Sequence, residues 1–297
     1  MTLVATFVSA HGQALLDDGL LARLRAAAPA PATIERLDGE IAADLFAEAD
    51  DARKLEATLR EALAGASVDI IVQPAATRRK RLFLADMDST MIGQECIDEL
   101  AAYVGLKEKV SDITERAMRG ELEFEPALRE RVGLLKGIAL GVVDEIIEKS
   151  ITLTPGGSAL VRTMRAHGGY TALVSGGFTV FTGPISRTIG FDEHRSNILL
   201  SEGDLLSGVV AEPILGKQAK LDALIELRIR FGLPDEATLA VGDGANDLAM
   251  LGEAGLGVAY RAKPAVAAAA DARLDHADLT ALLYAQGYRG DEIVKAE

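Results

Sequence analysis

With 297 residues, 49% of them hydrophobic and 26% charged, the chain has the composition of a globular protein with room for a sizeable core and two or three structural units. A formal net charge of −14 argues against a nucleic-acid partner and demands local positive charge wherever an anion is to bind. No apolar run approaches the roughly 18 residues of a membrane span, the start Met1–Phe7 lacks the basic opening of a signal peptide, and one cysteine (Cys96) with four scattered histidines offers neither a disulfide nor a thiolate metal site, so a cytoplasmic protein is expected.

The spacing of apolar residues predicts a strand over 3–8, a helix over 13–28 that stops before Pro29, and a hairpin over 33–48 around Asp38-Gly39. A helix over 51–63, stopped by Gly65, and a strand over 68–72 complete a first unit, residues 1–75. This βαββαβ order is the ferredoxin-like pattern, and it resembles the small amino-acid-binding ACT domains. Such a unit serves as an effector site or as a surface for homodimerisation and packing, and the residues leave both open. Residues 76–81 follow; Arg78, Arg79, Lys80 and Arg81 read as a solvated linker in an acidic chain.

The next stretch organises everything after it. Leu82-Phe83-Leu84-Ala85 has no polar alternation, as expected of a strand buried on both faces of a parallel sheet. It runs straight into Asp86-Met87-Asp88-Ser89-Thr90. On extended backbone Asp86 and Asp88 point the same way. Two carboxylates so close are unfavourable unless a cation lies between them or one keeps its proton, and a hard, oxygen-seeking cation such as Mg²⁺ resolves the conflict.

From 94 to 149 apolar residues recur at helical spacing, as in Ile97, Leu100, Ala101 and Val104, with Gly105, Gly120 and Gly137 dividing the stretch into four helices. No strand pattern interrupts them, so a helical lid over the end of the first core strand is expected. The α/β alternation then resumes. A strand over 171–174 ends in Ser175-Gly176-Gly177, and a helix over 178–189 is interrupted near Gly183-Pro184. A hairpin covers 197–200 and 205–210, and an amphipathic helix spans 217–231. A strand over 238–241 ends in Gly242-Asp243-Gly244-Ala245-Asn246-Asp247, followed by a strand over 254–259 and an Ala-rich helix over 265–270.

Three buried strands thus end in polar clusters, and in a parallel sheet such ends converge on one crevice. The chemistry they can support is specific. Asp86 can attack phosphorus and form an aspartyl-phosphate. Asp88 can protonate the leaving oxygen and then activate water. Mg²⁺ held by Asp86, Asp88 and Asp243 would neutralise carboxylates and phosphoryl oxygens together. The Ser175 hydroxyl and the Gly176 amide can hold a phosphate oxygen. Lys220, with Lys217 as its rival, supplies positive charge.

The arrangement resembles the haloacid dehalogenase superfamily of phosphohydrolases, whose motifs are D-x-D-x-T, a Ser or Thr after the second strand, a Lys, and G-D-x-x-x-D. All four stand here in order over residues 82–247. The resemblance implies a Rossmann-like core built from 82–91 and 150–297, a helical cap at 92–149, a metal contact from Asp88 through its backbone carbonyl, and an outer, orienting place for Asp247. Within the superfamily, Gly120-Glu121-Leu122-Glu123-Phe124, Leu128-Arg129-Glu130-Arg131-Val132, Val174-Ser175-Gly176-Gly177-Phe178 and Val241–Asp247 resemble the phosphoserine phosphatases. That resemblance implies O-phospho-L-serine as substrate, released as serine and phosphate at the last step of serine biosynthesis. Glu95 would meet its ammonium, Arg131 its carboxylate and Asn246 its phosphate end, with Met118 and Phe124 lining the pocket. Another small phosphomonoester, transfer of the phosphoryl group to an alcohol, or a non-catalytic amino-acid sensor are the competing readings. The sensor reading requires a lost acidic motif residue, and none is lost.

Overall fold

A six-stranded parallel sheet carries the molecule's largest core. The computed structural model describes residues 1–119 and 121–295, with Met118 by its backbone only. The sequence expectation for the pocket at Met118, and the motif position Gly120, therefore lie outside the described residues.

The N-terminal unit consists of β1 (Thr2–Ser9), α1 (Asp18–Ala27), β2 (Ala32–Asp38), β3 (Ala42–Glu48), α2 (Ala52–Leu63) and β4 (Val68–Pro74). Its antiparallel sheet has the order β2-β3-β1-β4, as the βαββαβ pattern requires. Helix α1 begins five residues later than the periodicity of 13–28 suggests. Asp17 caps it, accepting the Leu20 amide at 2.7 Å. The residues before the cap are tied to the sheet instead: Leu15 N donates to Ser9 Oγ and Leu16 N to Glu40 O.

The second unit opens with β5 (Leu82–Ala85) and passes into four helices: α3 (Cys96–Tyr103), α4 (Lys107–Met118), α5 (Phe124–Leu134) and α6 (Val142–Lys149). Then come α7 (Gly157–Ala166), β6 (Tyr170–Phe178), α8 (Thr179–Ile189), β7 (Glu193–Asn197), β8 (Leu199–Glu202), β9 (Leu205–Val210) and α9 (Lys217–Arg230). The chain ends with β10 (Thr238–Gly242), α10 (Leu248–Glu253), β11 (Gly257–Tyr260), α11 (Pro264–Ala269), β12 (Ala272–Leu274) and α12 (Ala281–Ala285). The sheet order is β12-β11-β10-β5-β6-β7, every pairing parallel. From β5 the chain winds one way to β7, then returns to β10 and winds the other way. The switch point therefore lies between β5 and β10, where a crevice opens at the strands' carboxyl ends.

Several local readings change. Helix α8 runs through Pro184, the middle of its eleven residues, without a break: the proline removes one helix bond, and the buried face of the helix, Phe181, Ile185 and Ile189, holds it in place. Strand β7, Glu-His-Arg-Ser-Asn, carries no apolar residue and leaves no hydrophobic trace in the sequence. The β8–β9 hairpin is strapped to the cap: Gly137 N and Leu206 N exchange bonds with Leu206 O and Ile138 O, and Leu140 N donates to Asp204 O, each at 2.8 Å.

The segment after β4 is only partly a solvated linker: Arg79 and Arg81 are exposed, whereas Arg78 is half-buried and Lys80 buried. Arg78 pairs with the buried Asp44 of β3. The Arg79 guanidinium lies 3.6 Å from the Tyr288 ring centroid. Lys80 is 4% exposed and its Nζ donates to Glu236 O at 2.8 Å. The two units pack against each other, so the connection has protein on both sides. Asp69 of β4 shows how tight this docking is: its carboxylate accepts three backbone amides, Asp275 (3.0 Å), His276 (3.0 Å) and Ala277 (2.8 Å).

Candidate active site

Strand β5 delivers Asp86 to the switch point, held by its amide on Val241 O of β10 at 3.1 Å. The chain then turns sharply. Met87 O receives the amides of Thr90, Met91 and Ile92, and Ser89 adopts a left-handed φ of 54°. This turn separates the two carboxylates by environment. Asp86 looks toward β10, whereas Asp88 Oδ1 accepts the Cys96 amide at the start of α3, at 3.0 Å.

Below Asp86 lies a buried charge cluster. Lys220 of α9 is 1% exposed, and its Nζ contacts Asp86 Oδ2 at 2.7 Å and Asp247 Oδ1 at 2.6 Å. Asp247 Oδ2 accepts the amides of Asp243 (3.2 Å) and Gly244 (3.0 Å). Asp243 Oδ1 accepts the Thr90 hydroxyl at 3.0 Å. Lys217, by contrast, is exposed.

The ionisation of this cluster follows from burial. Desolvation, reinforced by Asp247 and Asp243 and opposed by Lys220, holds Asp86 well above the usual carboxylate range. Desolvation and then Asp247 push Asp243 up to about 7. Burial disfavours the Lys220 ammonium, but Asp247 and Asp86 outweigh it and keep the lysine charged. Three buried carboxylates around one ammonium leave surplus negative charge, which calls for a cation. Oxygens of Asp86, Asp243 and Asp247 lie within 4.8 Å of one another. An all-oxygen donor set of this kind fits a hard divalent ion. Asp247 accepts from Lys220 and two amides and so orients the cluster; Asp86 accepts one bond on each oxygen, from Lys220 and the Met87 amide, and Asp243 accepts from Thr90, which leaves these two more free lone pairs. The carboxylate of Asp88 is not part of the group.

A cavity opens between this cluster and the cap. Asp86, Asp88, Ser175, Gly176 and Asn246 line it from the core, and Glu95, Thr114, Phe124 and Arg131 from the cap. Lys220 does not reach it; the lysine stands behind Asp86 rather than on the wall. The glycines of β6 make the close fit. A Cβ on Gly176 would lie 2.9 Å from Phe124 Cζ, and one on Gly177 would lie 3.0 Å from Asp88 Oδ2. The Gly177 amide donates to Ser175 Oγ at 2.9 Å, leaving the serine hydrogen to donate elsewhere. Glu95 accepts the Ser89 hydroxyl at 2.6 Å, and burial followed by Asp88 raises its carboxyl well above the usual range. Arg131 is 5% exposed and makes no ion pair among the described residues.

Three residues with no assigned role in the sequence shape the site. Thr90 orients Asp243; its place in D-x-D-x-T is the signal. Asn197 is 3% exposed and bonds Gly176 O, Leu215 O and Leu215 N, joining the serine-glycine loop to the segment before α9. Thr114 bonds Arg131. Neither of the last two has a local sequence signal, because each partner is distant along the chain.

A crevice at a parallel-sheet switch point, with a carboxylate at the end of the central strand and a helical cap above it, is the architecture of the haloacid dehalogenase kind of hydrolase. The sequence profile of the haloacid dehalogenase-like hydrolases matches residues 83–252. The chain is 41% identical over 245 residues to phosphoserine phosphatase SerB2 of Mycobacterium tuberculosis, a match covering 82% of this chain and 60% of that protein, less than two thirds of its length. It is 41% identical to the phosphoserine phosphatase of Saccharomyces cerevisiae, covering 76% of this chain and 74% of the relative. Among solved structures, a substrate-bound phosphoserine phosphatase complex superposes with a TM-score of 0.66 at 38% identity, covering 69% of this chain and 98% of that one. The chain belongs to the haloacid dehalogenase-like hydrolases and, within them, to the phosphoserine phosphatase family. Among the described residues, no helix is long and apolar enough to cross a membrane.

Proposed function

We propose that the chain hydrolyses O-phospho-L-serine to L-serine and phosphate. One observation carries the reading: a carboxylate (Glu95) and an unpaired guanidinium (Arg131) line the same buried cavity as Asp86 and Asp88. A zwitterionic amino acid presents the complementary charges. The family membership supports the same substrate.

In this reading an Asp86 oxygen attacks phosphorus, and the serine oxygen leaves with a proton from Asp88. Burial raises Asp88, although the Cys96 amide opposes it, and so favours the protonated form that a general acid needs. Asp88 then removes a proton from water, the water oxygen attacks phosphorus, and phosphate departs, restoring Asp86. Lys220 and the Met87 amide, 2.7 Å from Asp86 Oδ1, hold the nucleophile in place. Ser175 and Gly176 grip phosphoryl oxygens, with Asn246 beside them. Mg²⁺, held by Asp86, Asp243 and the Asp88 carbonyl, would neutralise the gathered negative charge. The N-terminal unit carries none of these residues; we assign it an ACT-like role in regulation or homodimerisation.

Phosphate release across a panel of phosphomonoesters, before and after chelation, tests the proposal. Selective turnover of phosphoserine, lost with chelator and restored by Mg²⁺ in preference to Ca²⁺, is the expected result. Equal turnover of esters without an amino-acid head would overturn it.

A further inference from the structure

Arg131 has four rotatable bonds and a cavity on one side, yet it is held in one place. Its Nε donates to Ala127 O on its own helix at 3.1 Å, and its Nη1 donates to Thr114 Oγ1 on α4 at 3.0 Å. Thr114 Oγ1 in turn lies 3.0 Å from Asp98 Oδ1 on α3, and Ser111 Oγ donates to Asp98 Oδ2 at 2.6 Å. Arg131, Thr114 and Asp98 are all buried, at 5%, 3% and 9% exposure. A hydroxyl has one hydrogen and accepts through its lone pairs. Thr114 therefore accepts from the guanidinium while its own hydrogen points to the Asp98 carboxylate or to Val110 O, 2.9 Å away.

The spacing of charges gives this chain its use. Were Asp98 to pair directly with Arg131, the guanidinium would be neutralised and a substrate carboxylate would have to displace it. With the hydroxyl between them, orientation is passed on and the positive charge stays available. The remaining guanidinium hydrogens are left for the cavity, which Arg131 lines. We infer that Thr114, backed by Asp98, is the positioning residue that aims Arg131 and so sets how strongly the enzyme selects substrates that bear a carboxylate. This rests on Arg131 meeting the substrate's carboxylate.

The test is Thr114→Val, which replaces the hydroxyl by a methyl of similar shape. Expected is a rise of about tenfold in KM for phosphoserine, several-fold larger than any change on 4-nitrophenyl phosphate, because Thr114 lines the cavity but only phosphoserine carries a carboxylate for Arg131 to meet. Thr114→Ser should restore the wild-type KM. In an Arg131→Ala background, Thr114→Val should add nothing, because the group it aims is gone. Equal loss on both substrates, or a full further loss in the Arg131→Ala background, would show that Thr114 only packs the cap. If Arg131→Ala alone depresses both substrates equally, the carboxylate reading fails first and this inference with it. Should Thr114→Val not fold, Asp98→Leu, which keeps the shape and removes the acceptor of the Thr114 hydroxyl, repeats the test from Asp98, with a KM rise for phosphoserine expected and an unchanged KM refuting it.

Discussion

Replacing Arg131 by Ala removes what is, among the described residues, the one buried cation on the cap side of the cavity. In the resting protein its charge has no carboxylate partner, and burial already pulls its pKa below the usual guanidinium value despite Glu95, Asp98 and Asp88. Much of the desolvation of the guanidinium therefore precedes substrate, and the incoming carboxylate finds a partner in place. In the variant that carboxylate enters the buried cavity unpaired. An unpaired buried charge costs about 3–5 kcal/mol, which corresponds to roughly two to four decades in kcat/KM. Phosphoserine turnover should fall at least about a hundredfold. An aryl phosphate has no carboxylate and still meets Asp86, Asp88 and Ser175, so its loss should be far smaller. Arg131→Lys should fall between, since an ammonium cannot make the two parallel bonds of the guanidinium. The assay is the ratio of the two losses, measured with purified, folded variants in the same buffer. A ratio near one would refute the argument and make Arg131 structural.

Asp86→Asn should abolish turnover while circular dichroism stays native, because the amide keeps the shape and loses the nucleophile; normal phosphate release would rule out an aspartyl-phosphate. Asp69→Ala strips the acceptor from three backbone amides at the junction of the units, and bonds to a charged group are worth about 1.5–3 kcal/mol each without adding fully, so a fall in Tm of several degrees is expected and an unchanged Tm would refute it. Burial lowers the Lys80 ammonium from 10.5 to about 8, against the pull of Asp271 and Glu236. Between these values the unfolded chain holds more protons, so the penalty is full below pH 8 and is relieved as pH rises toward 10.5. Lys80→Met should therefore be more stable at pH 7, on the order of 1–3 kcal/mol, with the difference shrinking toward pH 10; denaturant titrations at both pH values decide it.

What the sequence determined by itself is the chemistry and the class of fold. Leu82–Ala85, Thr171–Val174 and Thr238–Val241 are apolar runs that end in polar clusters, and a strand buried on both faces allows little else. Once those runs pair in parallel, Asp86, Ser175 and Asp243 must meet at one end of the sheet. The cap was legible for the same reason: three- and four-residue spacing survives in any amphipathic helix.

The tertiary structure decided what depends on partners far along the chain. Lys220 differs from Lys217 because one faces Asp86 and Asp247 and the other faces water, which no local pattern records. Asp247 joins the buried cluster and yet is occupied by Lys220 and two amides, an outcome of its own loop after β10, whereas the Asp88 carboxylate turns away to Cys96 at the turn at Ser89. Arg78, Arg79 and Lys80 looked like a solvated stretch because charge usually means exposure, but the two units pack on either side and convert their stems and charges into contacts. Strand β7 exists because β6 offers it an edge, not because its own residues prefer extension. The bond from Arg131 to Thr114 spans two helices of the cap and has no meaning until those helices are packed.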